Sequence, residues 1–476
     1  MSTVVEAPRT TFWTMDRVAD ALAPLAQGNL PRGTQTFGRV WTDTRTIQPG
    51  DLFVALVGER FDAHDFVADA VGKGASGVVI SRTSVGRRAG VPVYQVDDTL
   101  VALGALGNFR RRAWGQGRRV VGVVGTNGKT STKELIRAAL GSVFDVHATS
   151  GNLNNLIGVP LTLLATPDSA DVAVVEMGTN VPGEIARLRA IVDPDITVVT
   201  SVAEEHLEGL GDLEGVLREE LAACDGVATA IVPSAQPEVV AAARPRATRV
   251  VTAGVESGEV QPSRWGIDAE GRGWLEIDGV EVRLPLRGTH NVRNATLALA
   301  VARELGVATH DAARGIAAMS APPMRVNWER YGSATLINDA YNSNPGSAKA
   351  ALELLEHAGK GSDAQRVAIL GSMLELGVQT PRLHDDVAEF ALARNIDIVG
   401  GIGEFAAALQ RVAPNDQRVV TADDVDRLWS RITPRLTPNA VILLKGSRGM
   451  RLERLVAPIK EWALTRVDGR GTANSE

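Results

Sequence analysis

The sequence predicts an α/β protein of three domains, each built on a mostly parallel sheet, with a phosphate-binding loop in the middle one. Three observations carry this. At 476 residues the chain is too long for one hydrophobic core and has the length of about three domains. Short apolar runs alternate with stretches of helical periodicity, the pattern of strand–helix–strand units. One valine-rich run, 120–124, leads directly into Gly125-Thr126-Asn127-Gly128-Lys129-Thr130-Ser131.

In chain order, strands are expected at 37–43, 51–56 and 77–81, with a helix over 61–73. A basic, glycine-containing stretch at 115–119 marks a boundary, giving a first domain of 1–115. The strand at 120–124 is followed by a loop and a helix carrying Leu135, Ile136, Ala139, Leu140 and Val143 on one side. Further buried strands are expected at 171–175 and 195–200. The segment 228–271, poor in aromatics and rich in Ala, Val, Pro and Arg, reads as short strands and loops. Pro322-Pro323 blocks helix continuation and sets the second boundary, so the central domain is 116–321 and the last 322–476. That last part carries strands at 335–338, 367–370 and 440–444, and its tail, 466–476, is expected to be disordered. No repeat of solenoid length is visible.

Composition narrows the function. With 44% hydrophobic and 22% charged residues the chain is globular and not disordered. Lys and Arg number 50 against 56 Asp and Glu, a net charge of −6, which argues against nucleic acid as the main partner. Cys224, the one cysteine, cannot form an intramolecular disulfide and reads as a small buried hydrophobe; a reducing cytoplasm is the expected location. The first residues lack a basic segment leading into an apolar one, and no apolar run approaches a membrane span, so no membrane insertion is expected.

A strand, a glycine-containing turn and a helix start form a triphosphate cradle, because backbone N–H groups can wrap the phosphates and the helix N-terminus favours negative charge. Lys129 can reach the β- and γ-phosphates, and the Thr130 hydroxyl can ligate Mg²⁺. The glycine spacing departs from the usual P-loop pattern, since position 123 is valine. Glu176 and His206 follow predicted strands and emerge at the carboxyl edge of the sheet, beside the loop, where they could complete a metal site. Taken singly they also fit a helix-capping acid and a surface histidine.

These motifs, with Gly151-Asn152-Leu153-Asn154-Asn155-Leu156-Ile157-Gly158-Val159-Pro160, Glu176-Met177-Gly178-Thr179-Asn180, Gly183-Glu184-Ile185 and His206-Leu207-Glu208-Gly209, resemble the Mur ligases. So do Gly288-Thr289-His290-Asn291-Val292-Arg293-Asn294-Ala295, Asn338-Asp339-Ala340-Tyr341-Asn342-Ser343-Asn344-Pro345, Met373-Leu374-Glu375-Leu376-Gly377 and Lys445-Gly446-Ser447-Arg448. Near the amino terminus, Asp43-Thr44-Arg45, Pro49-Gly50-Asp51-Leu52-Phe53 and Gly58-Glu59-Arg60-Phe61-Asp62-Ala63-His64 are similar to the family's uridine-nucleotide domain. The resemblance covers nearly the whole chain in order.

It implies a UDP-sugar-binding domain, a central ATPase and a Rossmann-like domain that closes over the site. Within the family it implies the ligase that joins D-Ala-D-Ala to UDP-MurNAc-tripeptide through an acyl phosphate, a monomer using ATP and Mg²⁺ in peptidoglycan synthesis. Gly125 through Ser131 would hold the phosphates, and Thr130, Glu176 and His206 the metal, with Lys129, Glu176 and His206 as the catalytic set. Asn291, Arg325 and Asp339 would contact ATP. Thr44 and Arg45 would lie by the uridine, Asn152, Asn154 and Asn155 by the sugar phosphates, and Lys445, Ser447 and Arg448 by an incoming carboxylate. The third-amino-acid ligase of the same family carries an Asp-Asn-Pro-Arg motif that is missing here, and folylpolyglutamate synthases lack the first domain.

One departure matters most. The family's lysine after the histidine, carbamylated by CO₂ to hold a second Mg²⁺, aligns here with Glu220, and no lysine occurs between Lys133 and Lys349. Glu220 could supply the anion directly, with a water or a shifted helix making up its shorter reach. Alternatively the second metal is held loosely, or the chain is an impaired, nucleotide-binding homologue. Glu219 and Glu220 are about 100° apart on a helix, so at most one faces the site. A smaller departure is Ser372, where the family commonly has aspartate.

Overall fold

The computed structural model describes residues 12–58, 60–86, 90–115, 117–320, 327–358 and 363–468. Three wholly or mostly parallel sheets follow one another along the chain. The first joins Val40–Trp41, Leu52–Val54, Gly77–Ile80 and Val93–Gln95 in sequence order. The strand expected over 37–43 divides: Phe37 instead pairs antiparallel with Trp13 in a separate ribbon. Where one helix was expected over 61–73, a 3₁₀ turn at Ala63–Phe66 precedes a short α-helix at Val67–Gly72, started by the Asp62 carboxylate accepting the His64 N–H. Arg39 and Asp51 form a buried ion pair at 2.8 Å, and the same guanidinium donates to the Thr46 carbonyl at 2.7 Å. Asp51 also accepts the Gln48 N–H, so the pair fixes the loop that carries Thr44 and Arg45.

Helix Thr99–Ala113 joins this domain to the next, capped by Asp98. It is buried on two sides. Ala102, Leu103 and Leu106 pack into the first core, while Gly104 and Gly107 lie so close to Ile191 and Pro160 that an added Cβ would approach them to 2.9–3.0 Å. Two-sided burial blurs the apolar stripe by which a surface helix is recognised.

The central sheet has six parallel strands in the spatial order Arg249–Ala253, Thr229–Pro233, Ile196–Val199, Arg119–Val124, Val172–Glu176, Val146–Ala148. Its middle strand, Arg119–Val124, has both outer strand series departing from it, which opens a crevice at its carboxyl end. Helix Lys129–Leu140 follows, with Leu135, Ile136, Ala139 and Leu140 buried; Val143 falls beyond its end and is exposed, contrary to the expected face. The segment 228–271 also contains a helix, Pro237–Ala243, started by proline at its first position. Cys224 is buried and unpaired, and burial pushes its thiol up to about 12.

After an antiparallel sheet, Arg264–Ile267, Arg272–Ile277 and Val280–Arg287, helix Thr289–Glu304 packs on Lys129–Leu140. The last sheet runs Asn327–Tyr331, Ala334–Asp339, Val441–Lys445, Arg366–Leu370, Ile398–Ile402, Val419–Ala422, parallel except for its first strand. The final helix, Val456–Asp468, runs past the expected start of disorder at 466 because Ile459, Trp462 and Ala463 anchor it on this sheet. Residues 469–476 and Pro322-Pro323 lie outside the described residues. No described helix is long and apolar enough to cross a membrane.

Removing one partner of the Arg39–Asp51 pair strands a buried charge. Arg39→Met is expected to cost about 3 kcal/mol in urea unfolding, with part recovered when Asp51→Leu is added.

Candidate active site

The loop after Arg119–Val124 is built by steric exclusion. Gly125 has φ +118° and Gly128 φ +86°, both in the region that favours glycine. A Cβ on Gly125 would come within 2.4 Å of Thr200 Oγ1 and 2.8 Å of the Ser201 carbonyl; on Gly128 it would meet the Asn294 amide at 2.8 Å. Ser201 O accepts the Thr126 N–H at 2.8 Å, Ser201 Oγ accepts the Asn127 N–H at 3.1 Å, and Thr200 Oγ1 donates to the Asn127 carbonyl at 2.6 Å. Lys129 Nζ donates to the carbonyls of Gly125 at 2.5 Å and Thr126 at 3.3 Å. Together with Ser131 the loop forms one wall of a cleft of about 930 Å³.

Glu176, the last residue of Val172–Glu176, is 1% exposed and forms the floor. Thr130 Oγ1 donates to its two oxygens at 3.0 and 3.1 Å, and Asn154 Nδ2 to Oε1 at 3.0 Å. Adjacent hydroxyl and carboxylate oxygens are the donors Mg²⁺ prefers, and it completes its shell with water and phosphate oxygens. Thr130 and Glu176 therefore fit that ion.

The four-residue metal set expected from the sequence is not brought together. Among the described residues no three His, Cys, Asp or Glu side chains converge as a metal site. The His206 ring lines the cleft, and its Nδ1 pairs with the Glu375 carboxylate of the last domain. Glu220 is buried behind the loop, where its Oε2 accepts the Gly125 N–H at 2.8 Å, and it does not line the cleft. Burial pushes its carboxyl up to about 7, opposed by Lys129 and the Gly125 N–H and reinforced by Glu205 and Glu219. Its neighbour Glu219 turns the other way and accepts the N–H groups of Gly183 and Ile185, both at 2.7 Å, at the start of helix Glu184–Val192.

The last domain supplies the opposite wall. Asp339 and Lys445 are register partners on adjacent parallel strands, with Lys445 Nζ 2.7 Å from Asp339 Oδ2 and donating to the Asn342 carbonyl at 2.8 Å. The Arg448 guanidinium lies 5.5 Å from the centre of the Tyr341 ring. Ser447 is set back from the cleft, its Oγ accepting the Leu374 N–H. Asn291 lines the cleft while its amide donates to the Arg287 carbonyl at 2.8 Å. Burial pushes neighbouring His290 down to about 4. Asn152 and Asn155 also line the cleft, although Asn155 Oδ1 is engaged in starting helix Gly158–Leu164. Thr44 and Arg45 do not reach it, and Arg45 pairs with Asp43 at 2.6 Å on the first domain's surface. Arg325 lies outside the described residues. Ser372 Oγ accepts the Glu404 N–H at 2.9 Å, starting helix Glu404–Val412.

Several site residues carried no role in the sequence reading. Thr200 and Ser201, at the end of Ile196–Val199, shape the loop. Asn344 Nδ2 donates to Asn127 Oδ1 at 2.8 Å and Asn342 Nδ2 to Glu205 Oε1 at 2.8 Å, joining the last domain to the loop side of the cleft. Asn342, Asn344 and Glu375 lie inside motifs already singled out; only their partners were hidden.

Glu220 gives a signed pH effect. Its carboxyl is raised from 4.5 to about 7, so folding takes up a proton between those values. Stability is greatest below the lower value and falls as pH rises through the upper. Glu220→Gln should flatten that slope and raise stability at pH 8 by about 2–3 kcal/mol, measured by urea unfolding across pH.

Against known proteins, residues 37–111 match the "Mur ligase family, catalytic domain" model, 123–302 the "Mur ligase middle domain" and 324–448 the "Mur ligase, glutamate ligase domain". The chain is 35% identical to the UDP-N-acetylmuramoyl-tripeptide–D-alanyl-D-alanine ligase of Bacillus subtilis over 463 residues, covering 94% of this chain and 99% of that one. It is 34% identical to the Escherichia coli protein of the same name, covering 92% and 97%. Among solved structures, a crystal structure of MurF from Acinetobacter baumannii superposes with a TM-score of 0.85 at 30% identity, over 95% of this chain and 100% of that one. MurF from Thermotoga maritima in complex with ADP gives 0.79 at 25% identity, over 90% and 98%. Three domain matches in order, a phosphate loop over an oxygen-lined floor, and full-length relatives agree: this chain belongs to the Mur ligase family.

Proposed function

We propose that the protein is an ATP-dependent ligase that joins D-Ala-D-Ala to UDP-MurNAc-tripeptide, acting as a cytoplasmic monomer in peptidoglycan precursor synthesis. The observation that carries this reading is the meeting of two walls: the phosphate loop with Glu176, hydrogen-bonded by Thr130, on one side, and the Asp339–Lys445 pair with Arg448 on the other. A carboxylate oxygen of the tripeptide takes the γ-phosphoryl group of ATP, and ADP leaves. The free amine of D-Ala-D-Ala then attacks the acyl carbon, losing a proton as phosphate departs.

The chain's part is position and charge, which is most of what phosphoryl transfer requires. Backbone N–H groups at the start of helix Lys129–Leu140 face the phosphates, and Lys129 is the cation beside them. Thr130 and Glu176 would hold Mg²⁺, which neutralises charge on the phosphate oxygens. Lys445 and Arg448 are cations on the facing wall suited to a dipeptide carboxylate. The Asn344–Asn127 and His206–Glu375 contacts hold the last domain over the loop and so keep water from the acyl phosphate.

The reading of the chain as an impaired nucleotide-binding homologue is not supported: the relatives matched over nearly full length are named as ligases. Glu220 is a genetically encoded carboxylate, bonded to the phosphate loop, so CO₂ has no part to play at that position.

Phosphate release in CO₂-depleted buffer should require ATP, Mg²⁺, UDP-MurNAc-tripeptide and D-Ala-D-Ala together and be indifferent to added bicarbonate. Bicarbonate stimulation would count against the role given to Glu220, and ATP binding without release would sink the ligase reading. Lys129→Ala should lower kcat on the order of 10²–10³-fold.

A further inference from the structure

We propose that Lys133 is a positioning residue for the metal site, a buried ammonium that holds Glu176 in place for the metal-bound nucleotide. The proposal rests on the ligase reading for the identity of that nucleotide. Lys133 lies one turn beyond Lys129 on the same helix, but its side chain runs beneath the cleft and is 1% exposed. Lysine is almost never so buried without a partner. Its Nζ donates to the Thr149 carbonyl at 2.6 Å and lies 3.1 Å from Glu134 Oε1 and 3.8 Å from Glu176 Oε2.

Two routes lead from this ammonium to Glu176. One is the direct ion pair. The other passes through Thr149, whose carbonyl Lys133 holds and whose hydroxyl accepts the Glu176 N–H at 2.9 Å. Backbone and carboxylate of Glu176 are thus anchored by the same side chain.

The ammonium serves both carboxylates, lying nearer to Glu134 and helping to hold its carboxyl below the usual range, but Glu176 depends on it more. Glu134 has a second cation, Arg137, at 2.8 Å, and its side chain is 21% exposed. The Glu176 side chain is 2% exposed, and its other recorded donors, Thr130 and Asn154, are neutral. Among the described residues Lys133 is its only cationic partner. A carboxylate this dry needs a fixed countercharge to keep both oxygens directed at Thr130.

The test is calorimetric titration of ADP into the full chain, once with saturating Mg²⁺ and once with excess EDTA, beside thermal unfolding of each variant. Lys133→Gln keeps a donor for the Thr149 carbonyl but removes the charge. It should weaken Mg²⁺–ADP binding about tenfold and leave metal-free ADP within twofold of wild type. Lys133→Arg should restore most of the loss, and Glu134→Gln should change neither constant. Equal weakening with and without metal, no weakening at all, or the same loss in Glu134→Gln would overturn the assignment. Where Lys133→Gln does not fold, a folded Lys133→Arg decides: a wild-type ratio supports the assignment and a tenfold loss overturns it. Wild-type protein that bound no ADP in either buffer would overturn the ligase reading along with it.

Discussion

The absence of room behind the phosphate loop is the constraint on which the rest of the site depends. At Gly125 the loop is pressed against Thr200 and Ser201, and its N–H is taken by Glu220 from behind. At Gly128 it is pressed against Asn294 of helix Thr289–Glu304. Three separate elements therefore define one backbone path, and the helix that follows can start only where that path delivers it. Lys129, Thr130 and Lys133 inherit their positions from this, and with them Glu176, the floor of the cleft and the place where the last domain can dock.

The carboxylates around the loop show how a site for an anionic substrate tolerates so many acids. Glu176 is held by Thr130, Asn154 and Lys133; Glu219 by N–H groups at a helix start; Glu205 by Asn342; Glu375 by His206. Glu220, bonded to the Gly125 N–H alone, is the one whose carboxyl burial carries toward neutrality. Each of these acids is thus either matched by donors or relieved of its charge, and the cleft is also lined by cations, among them Lys129, Arg448 and Lys445, the last paired with Asp339.

What the sequence made legible was local. The phosphate loop could be read because its chemistry lies in seven consecutive residues after a buried strand. Three strands of the central sheet and three of the last, at 120–124, 171–175, 195–200, 335–338, 367–370 and 440–444, could be read because burial makes them continuous apolar runs, whereas Val146–Ala148, Asn327–Tyr331, Ile398–Ile402 and Val419–Ala422 could not. Contacts made across the chain were hidden. Glu220 meets Gly125 from 95 residues away; its alignment with the family's lysine distinguishes it from Glu219, but the bond to the back of the loop cannot be read from its neighbours. Helix Thr99–Ala113 shows no clear apolar stripe because it is wedged between two domains, and Val143 keeps helical spacing although the helix ends at Leu140. Lys133 sat in plain view beside the loop motif, but only Thr149 and Glu176 reveal what it holds.

The burial of Cys224 has a consequence for how the protein meets oxidants. Its sulfur is sealed within the core beneath the central sheet, and its thiol is held far from the thiolate form that reacts with peroxides and alkylating agents. The chain therefore presents no reactive sulfhydryl of its own in the folded state. Any cysteine placed on its surface becomes the single addressable thiol, so a probe could be attached at one chosen point on each domain without first removing a native residue.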